Sequence, residues 1–125
     1  MTFNQDIFKI SRENNWFRHE LITTRQSQLV LMSLNPREDI GEELHKADQI
    51  LLCVAGTGTL VMNSMETKVS EGHLMFIPSG TKHNIINSSE GMMKLISIYS
   101  PPEHPPGTIH KTKAEAIYFE KKLTR

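Results

Sequence analysis

Apolar side chains in this chain fall in short runs separated by clusters of Gly, Pro, Asn, Asp and Ser. Gln28-Leu29-Val30-Leu31-Met32-Ser33-Leu34 is nearly continuous and predicts a strand covered on both faces. Asn35-Pro36-Arg37-Glu38-Asp39 breaks it, and Gln49 to Ala55 is the next strong strand. Thr59 to Met62 and Thr67 to Val69 pair as a hairpin across Asn63-Ser64. Leu74 to Ile77 is long enough for one buried strand and too short for a helix. His83 then opens a β-leaning segment to Asn87, and Met92 to Ser100 is a last long strand. Near the N-terminus, Ile7 to Ile10 alternates enough to predict a short edge strand. Polar turn material follows from Ser11 to Asn15, then a strand of mixed faces from Trp16 to Thr23.

Short strands with turn signals roughly every eight to twelve residues argue for a sandwich or barrel. No helix-period pattern appears until Thr112-Lys113-Ala114-Glu115, which has capping-box spacing. Helix-favouring residues continue to Lys122, with basic residues in the last turn, so a helix is expected over about 112–122. Pro101-Pro102-Glu103-His104-Pro105-Pro106-Gly107 excludes helix and central strand and predicts an extended, polyproline-like connector.

The 125 residues suffice for one domain and are too few for two ordinary ones. Formal net charge is zero, so no electrostatic footprint for nucleic acid is present. A single cysteine, Cys53, excludes an intramolecular disulfide and fits a reducing compartment. No apolar stretch approaches a membrane span, and the polar start from Met1 to Asp6 does not read as a secretory signal. A soluble, cytoplasmic protein with no nucleic-acid or membrane partner is expected.

The candidate chemistry centres on Gly72 to Asn87. Gly72 and the Pro78-Ser79-Gly80 turn frame the short strand and place His83 at the head of the next one, held by backbone of little freedom. Written as a pattern this is G-x5-P-x-G-x2-H-x3-N. It resembles the second motif of the cupin superfamily at every fixed position. The resemblance implies an all-β fold, a jelly-roll β-barrel of one domain (residues 1–125, barrel core about 28–100), with a metal at its mouth and His83 as one ligand. It also implies a homodimer, to which extended N-terminal strands would contribute.

The first cupin motif has two histidines one residue apart, an acidic residue four or five positions on, and a glycine six further. Counting back from Gly56 puts Gln49 at the acidic position, His45 on the second histidine and Glu43 on the first. The sequence therefore departs twice, with Glu for His and Gln for Glu. Residues two apart share a face of a strand, so Glu43 and His45 point the same way, and Gln49 rejoins them across a bend at Lys46-Ala47-Asp48. The expected metal set is Glu43, His45, Gln49 and His83. Two histidines and one carboxylate with open positions is the ligand type of non-haem Fe(II) oxygenases, and N/O sites of this kind also suit Zn, Mn or Ni. Cupin-type sugar-phosphate isomerases resemble the site in ligand types, though in a different order. Residues 98–113 look like the tail of a subgroup of small single-domain bacterial-type cupins.

Other residues take plainer readings. Gly56-Thr57-Gly58 lacks the Lys-Ser pair and helix of a phosphate cradle and reads as a hairpin turn. Cys53 reads as a small buried residue, and Met62, Met65, Met75, Met92 and Met93 as core or cavity filler. His19, His73, His110 and Lys111 read as exposed. Tyr99 and His104, just after the last strand, are the candidates for a catalytic proton-transfer group at the mouth; equally, they pin the Pro-rich connector. The functional expectation is one divalent metal ion and a small polar metabolite, handled by an enzyme of dioxygenase or isomerase type. A non-catalytic binding or sensing domain is the alternative.

Overall fold

The computed structural model describes residues 2–123. The elements run α1 (Ile7–Glu13), β1 (Arg18–Thr23), β2 (Gln28–Leu34), β3 (Asp48–Ala55), β4 (Gly58–Met62), β5 (Met65–Val69), β6 (Leu74–Ile77), β7 (His83–Asn87), β8 (Met93–Ser100), β9 (Ile109–His110) and α2 (Lys113–Leu123). Strands β6-β3-β8-β2-β1-β9 form one antiparallel sheet and β5-β4-β7 a second. Inward side chains of both sheets, among them Met32, Leu51, Cys53, Leu60, Ile85 and Leu95, make the core. This is the expected jelly-roll barrel.

Strand register decides where the polar interior lies. Val30 and Leu51 both pair with Ser97, and Met32 and Cys53 both pair with Leu95. At the end of the same ladders Tyr99 lies opposite Gln28 and Gln49, and Gln49 opposite Ile77. One row across four strands therefore reads Gln28, Tyr99, Gln49, Ile77. The core is apolar through most of its depth and turns polar at this end.

Two turns rest on backbone geometry. Asn63 and Ser64 have φ of 51° and 65°, the left-handed pair that a tight β4–β5 hairpin needs. A Cβ on Gly58 would sit 2.1 Å from the Ile86 carbonyl oxygen, so only glycine lets β4 lie against β7 there.

Several expectations need correction. Ile7 to Ile10 is helical, not an edge strand. The Asp6 carboxylate accepts a hydrogen bond from the Lys9 N–H, capping the helix start. Ile7 and Ile10, three apart on one helical face, pack with Leu21, Leu29 and Leu52 over Leu31, Val54 and Ile96. The helix end is held by Lys94, whose ammonium donates to Asn14 O (2.5 Å), Asn15 Oδ1 (3.0 Å) and Ser33 Oγ (3.1 Å). Gly56 and Thr57 are not a hairpin, because β3 and β4 belong to different sheets and these residues carry the chain between them. The Pro-rich connector is not simply extended: Thr108 N–H and Oγ1–H both donate to Pro105 O, closing a turn before β9. His110 is buried rather than exposed, and Met65 is exposed rather than core. Helix α2 forms as expected, with Thr112 and Glu115 bonded reciprocally at 3.1 and 3.2 Å.

Asn87 ends the motif and is fully buried. Its Nδ2 donates to the carbonyls of Leu34 (3.1 Å), Asn35 (3.0 Å) and Gly91 (2.9 Å), and its Oδ1 accepts from the Ser89 N–H (2.9 Å) and O–H (2.7 Å). One side chain thus joins the ends of β2 and β7 to the turn before β8. Asn87→Ala leaves buried carbonyls unpaired and should cost about 2–4 kcal/mol in urea denaturation, with an unchanged m-value. A loss below about 1 kcal/mol would show that water replaces the amide freely.

Candidate metal centre

The main chain itself brings the two motif segments together. Glu43 and His83 form an isolated antiparallel bridge: Glu43 N–H donates to His83 O (2.8 Å) and His83 N–H to Glu43 O (3.0 Å). Gly80, with φ of 77°, turns its N–H onto His45 O at 2.8 Å. The Pro78-Ser79-Gly80 turn therefore fixes both His83 and His45.

Glu43, His45 and His83 offer three donor atoms that all lie within 4.8 Å of one another. Two donors each about 2.1 Å from one ion are at most about 4.2 Å apart, so adjustments of several tenths of an ångström complete a coordination sphere. The histidine rings are 5.1 Å apart at 59°. His83 Nδ1 donates to Thr81 O at 2.8 Å, which fixes the proton there and leaves Nε2 as a bare lone pair. That Nε2 is buried and has no partner. An unpaired imidazole nitrogen beside a second histidine and a carboxylate is the donor set of a divalent cation site, and the residues fit one.

Gln49 enters differently. Its Nε2 donates to Ser97 Oγ (3.0 Å) and Tyr99 Oη (3.2 Å), tying β3 to β8, while Oε1 is buried without a partner. Tyr99 Oη lies 3.4 Å from His104 Nε2, and the Tyr99 ring meets the His45 ring edge-on at 5.6 Å. A pocket of about 310 Å³ opens on this side, lined by Arg18, Glu43, His45, Glu103 and His104 among others.

Charges here are strongly coupled. Burial alone would lower the His45 pKa, but the close carboxylates of Glu103 and Glu43 outweigh it and raise it to about 9. Burial would raise the Glu43 carboxyl; His45 and Arg18 hold it below its ordinary value instead. Burial, reinforced by Glu43, pushes the Tyr99 phenol up, and burial with the Arg18 charge pushes His104 down to about 3. Both are therefore neutral at neutral pH.

Arg18, Gln28 and Glu103 belong to this region and were not singled out from the sequence. Arg18 is 2% exposed, with Nη2 3.6 Å from Glu43 Oε2 and Nη1 3.3 Å from His110 Nδ1. Gln28, 1% exposed, carried the same signal as Gln49: a polar side chain in an apolar strand needs a buried partner.

The family model of the cupin domain matches residues 30–99. The chain belongs to this family. It is 40% identical to the uncharacterized protein YrkC of Bacillus subtilis, over 94% of this chain and 67% of YrkC. It is 38% identical to BH2720 of Bacillus halodurans, whose crystal structure superposes with a TM-score of 0.92, covering 94% of this chain and 95% of that one. A cupin superfamily protein from Desulfitobacterium hafniense shares the fold at a TM-score of 0.62 and 19% identity, over 68% and 76% of the two chains. No helix among the described residues is long and apolar enough to cross a membrane.

The His45 shift has a signed consequence. Its folded value lies above the ordinary 6.5, so the protonated ring stabilises the metal-free fold fully below about pH 6.5, and that contribution is lost as pH rises through about 9. A metal must displace the same proton. Zn²⁺ affinity should therefore rise up to about tenfold per pH unit from pH 7 and level off above about pH 9. Chelator competition at a series of pH values measures this; a flat profile would remove His45 from the ligand set.

Proposed function

We propose that this cupin binds one divalent cation through Glu43, His45 and His83, with Gln49 Oε1 as a fourth donor, and receives a small polar metabolite in the adjoining pocket. The observation that carries this reading is His83 Nε2, the ring nitrogen opposite the Nδ1–H that donates to Thr81 O, buried with no hydrogen-bond partner. Fe, Zn, Mn and Ni all suit the set. When bound, the cation supplies a positive centre that polarises a carbonyl or chelates an enediol.

The residues of the chain do the remaining work. Glu43 contributes the single carboxylate, and Arg18 balances its outer oxygen at 3.6 Å. Burial of both histidines and of Gln49 keeps bulk water from competing for their lone pairs. Tyr99 accepts from Gln49, so its own proton is free to point at His104 Nε2. We assign these two side chains to proton handling at the mouth, in an enzyme of dioxygenase or sugar-isomerase type.

A second reading is a non-catalytic binding or sensing domain. One observation favours it: the proton affinities of Tyr99 and His104 are driven in opposite directions away from pH 7, so neither exchanges its proton readily there.

Elemental analysis of protein purified without added metal, followed by titration with Fe²⁺, Zn²⁺, Mn²⁺ and Ni²⁺, tests the common part. One ion per chain is expected, and His83→Ala should weaken binding at least about a hundredfold while the far-ultraviolet spectrum is preserved. Content that stays substoichiometric with every ion would sink the site. Water-proton relaxation of the Mn²⁺ form separates the two readings. Exchangeable water on the ion supports the enzyme; an ion closed off by protein supports the binding domain.

A further inference from the structure

The Pro-rich segment after β8 does more than link the barrel to α2. Its path is set by Gln28, whose Oε1 accepts from the N–H groups of Glu103 (3.1 Å) and His104 (3.0 Å). Gln28 Nε2 donates to His104 O (2.6 Å) and Thr23 Oγ1 (2.8 Å). A side chain rooted in the central sheet thus clasps two consecutive residues of the strap on both their donor and acceptor sides. Proline at 101, 102, 105 and 106 limits the strap's freedom on either side of the clasp.

The clasp sends the two side chains to different members of the site. His104 goes to Tyr99, and Glu103 goes to His45. Glu103 Oε2 lies 3.3 Å from His45 Nδ1, an ion-pair contact that is not aligned as a hydrogen bond. Among the described residues no group is placed to hydrogen-bond Nδ1, and Glu103 is its nearest charged neighbour. On its other side His45 Nε2 is 3.3 Å from Glu43 Oε1 and faces the shared donor cluster.

We propose that Glu103, delivered by the Gln28-clasped strap, is a positioning residue: it keeps the proton on His45 Nδ1 and so turns the Nε2 lone pair toward Glu43 and His83. This rests on the metal reading above. The two histidines then obey one rule from two sources. His83 has its Nδ1 proton held by a backbone carbonyl, and His45 has a carboxylate 3.3 Å from its own Nδ1. A carboxylate behind a ligating imidazole also raises its basicity, which a carbonyl does less strongly. The strap contributes no ligand, yet the site is not fully ordered without it.

The test uses the full chain and Zn²⁺, titrated against a chelator at one alkaline pH common to all variants. Wild type, His83→Ala, Glu103→Ala and Glu103→Gln are compared, and the His45 ring N–H is followed by nitrogen-15 NMR in the Zn²⁺-loaded proteins. Glu103→Ala should weaken binding about 10–100-fold and lose the slowly exchanging Nδ1–H signal. Glu103→Gln, which keeps an acceptor without the charge, should recover most of the affinity and the signal. Gln28→Leu, checked for folding by circular dichroism, should move both readouts in the direction of Glu103→Ala. If both Glu103 variants bind like wild type and keep the N–H signal while His83→Ala abolishes binding, the metal site stands and the role of Glu103 falls. If wild type itself takes up no Zn²⁺, both fall together.

Discussion

Two hydrogen bonds between the peptide groups of Glu43 and His83 hold the site together. They join segments far apart in the chain and belong to neither regular sheet. With the main chains locked at 2.8 and 3.0 Å, the carboxylate and the imidazole reach one volume without searching for each other. Gly80 adds His45 to the same clamp through its carbonyl. Entropy that a floppy ligand set would lose on binding an ion is here lost during folding. That arrangement also explains why the turn at Pro78-Ser79-Gly80 is so restricted. At Gly80 a φ of 77° aims the N–H at the His45 carbonyl, so the backbone of the turn ties the second motif to the first.

A second constraint is the cost of burying polar atoms. Gln28, Gln49 and Tyr99 share one row of the barrel, each at most 1% exposed. Most of their polar atoms are matched within the row, by Ser97, or by the strap. Among the described residues, four of the five buried side-chain atoms without a partner, His83 Nε2, His45 Nδ1, Gln49 Oε1 and Arg18 Nε, lie at the candidate site, and the fifth, Ser11 Oγ, lies on α1. Such a concentration of bare polar atoms at one place fits a site built to receive a ligand. The same low-dielectric setting drives Tyr99 and His104 apart in proton affinity.

Much of this was legible in the sequence. Alternation and turn residues gave the barrel strands from β2 to β8, because those elements are decided by which face is buried. The motif spacing placed Glu43, His45 and His83, which the structure brings together. What stayed hidden was non-local or rested on a short local signal. Ile7 to Ile10 look like a strand by alternation and the rest of α1 like a turn, and the Asp6 cap that settles the matter is one hydrogen bond. Strand β9 has two residues and exists only because β1 presents an edge to it. Glu103 sits among prolines in a stretch that reads as linker, and its relation to His45 depends on Gln28, 75 positions away. No window of sequence contains that pairing.

The two departures from the family's first motif are best read as one exchange. The usual pattern carries its carboxylate where Gln49 stands and a histidine where Glu43 stands. Here the anion has moved to the first position, so the donor set still holds a single negative charge. The move has consequences on both sides. At the mouth, Glu43 comes within 3.6 Å of the Arg18 guanidinium, which gives the charge a buried counter-ion. Inside the barrel, a carboxylate at position 49 would accept from both Ser97 and Tyr99 and orient their hydroxyls toward itself. The Gln49 amide donates to them instead, at 3.0 and 3.2 Å, and turns the Tyr99 proton outward to His104. Exchanging carboxylate for amide therefore keeps the charge of the site while reversing the direction of its hydrogen-bond chain, which now runs from the barrel interior toward the strap and the pocket.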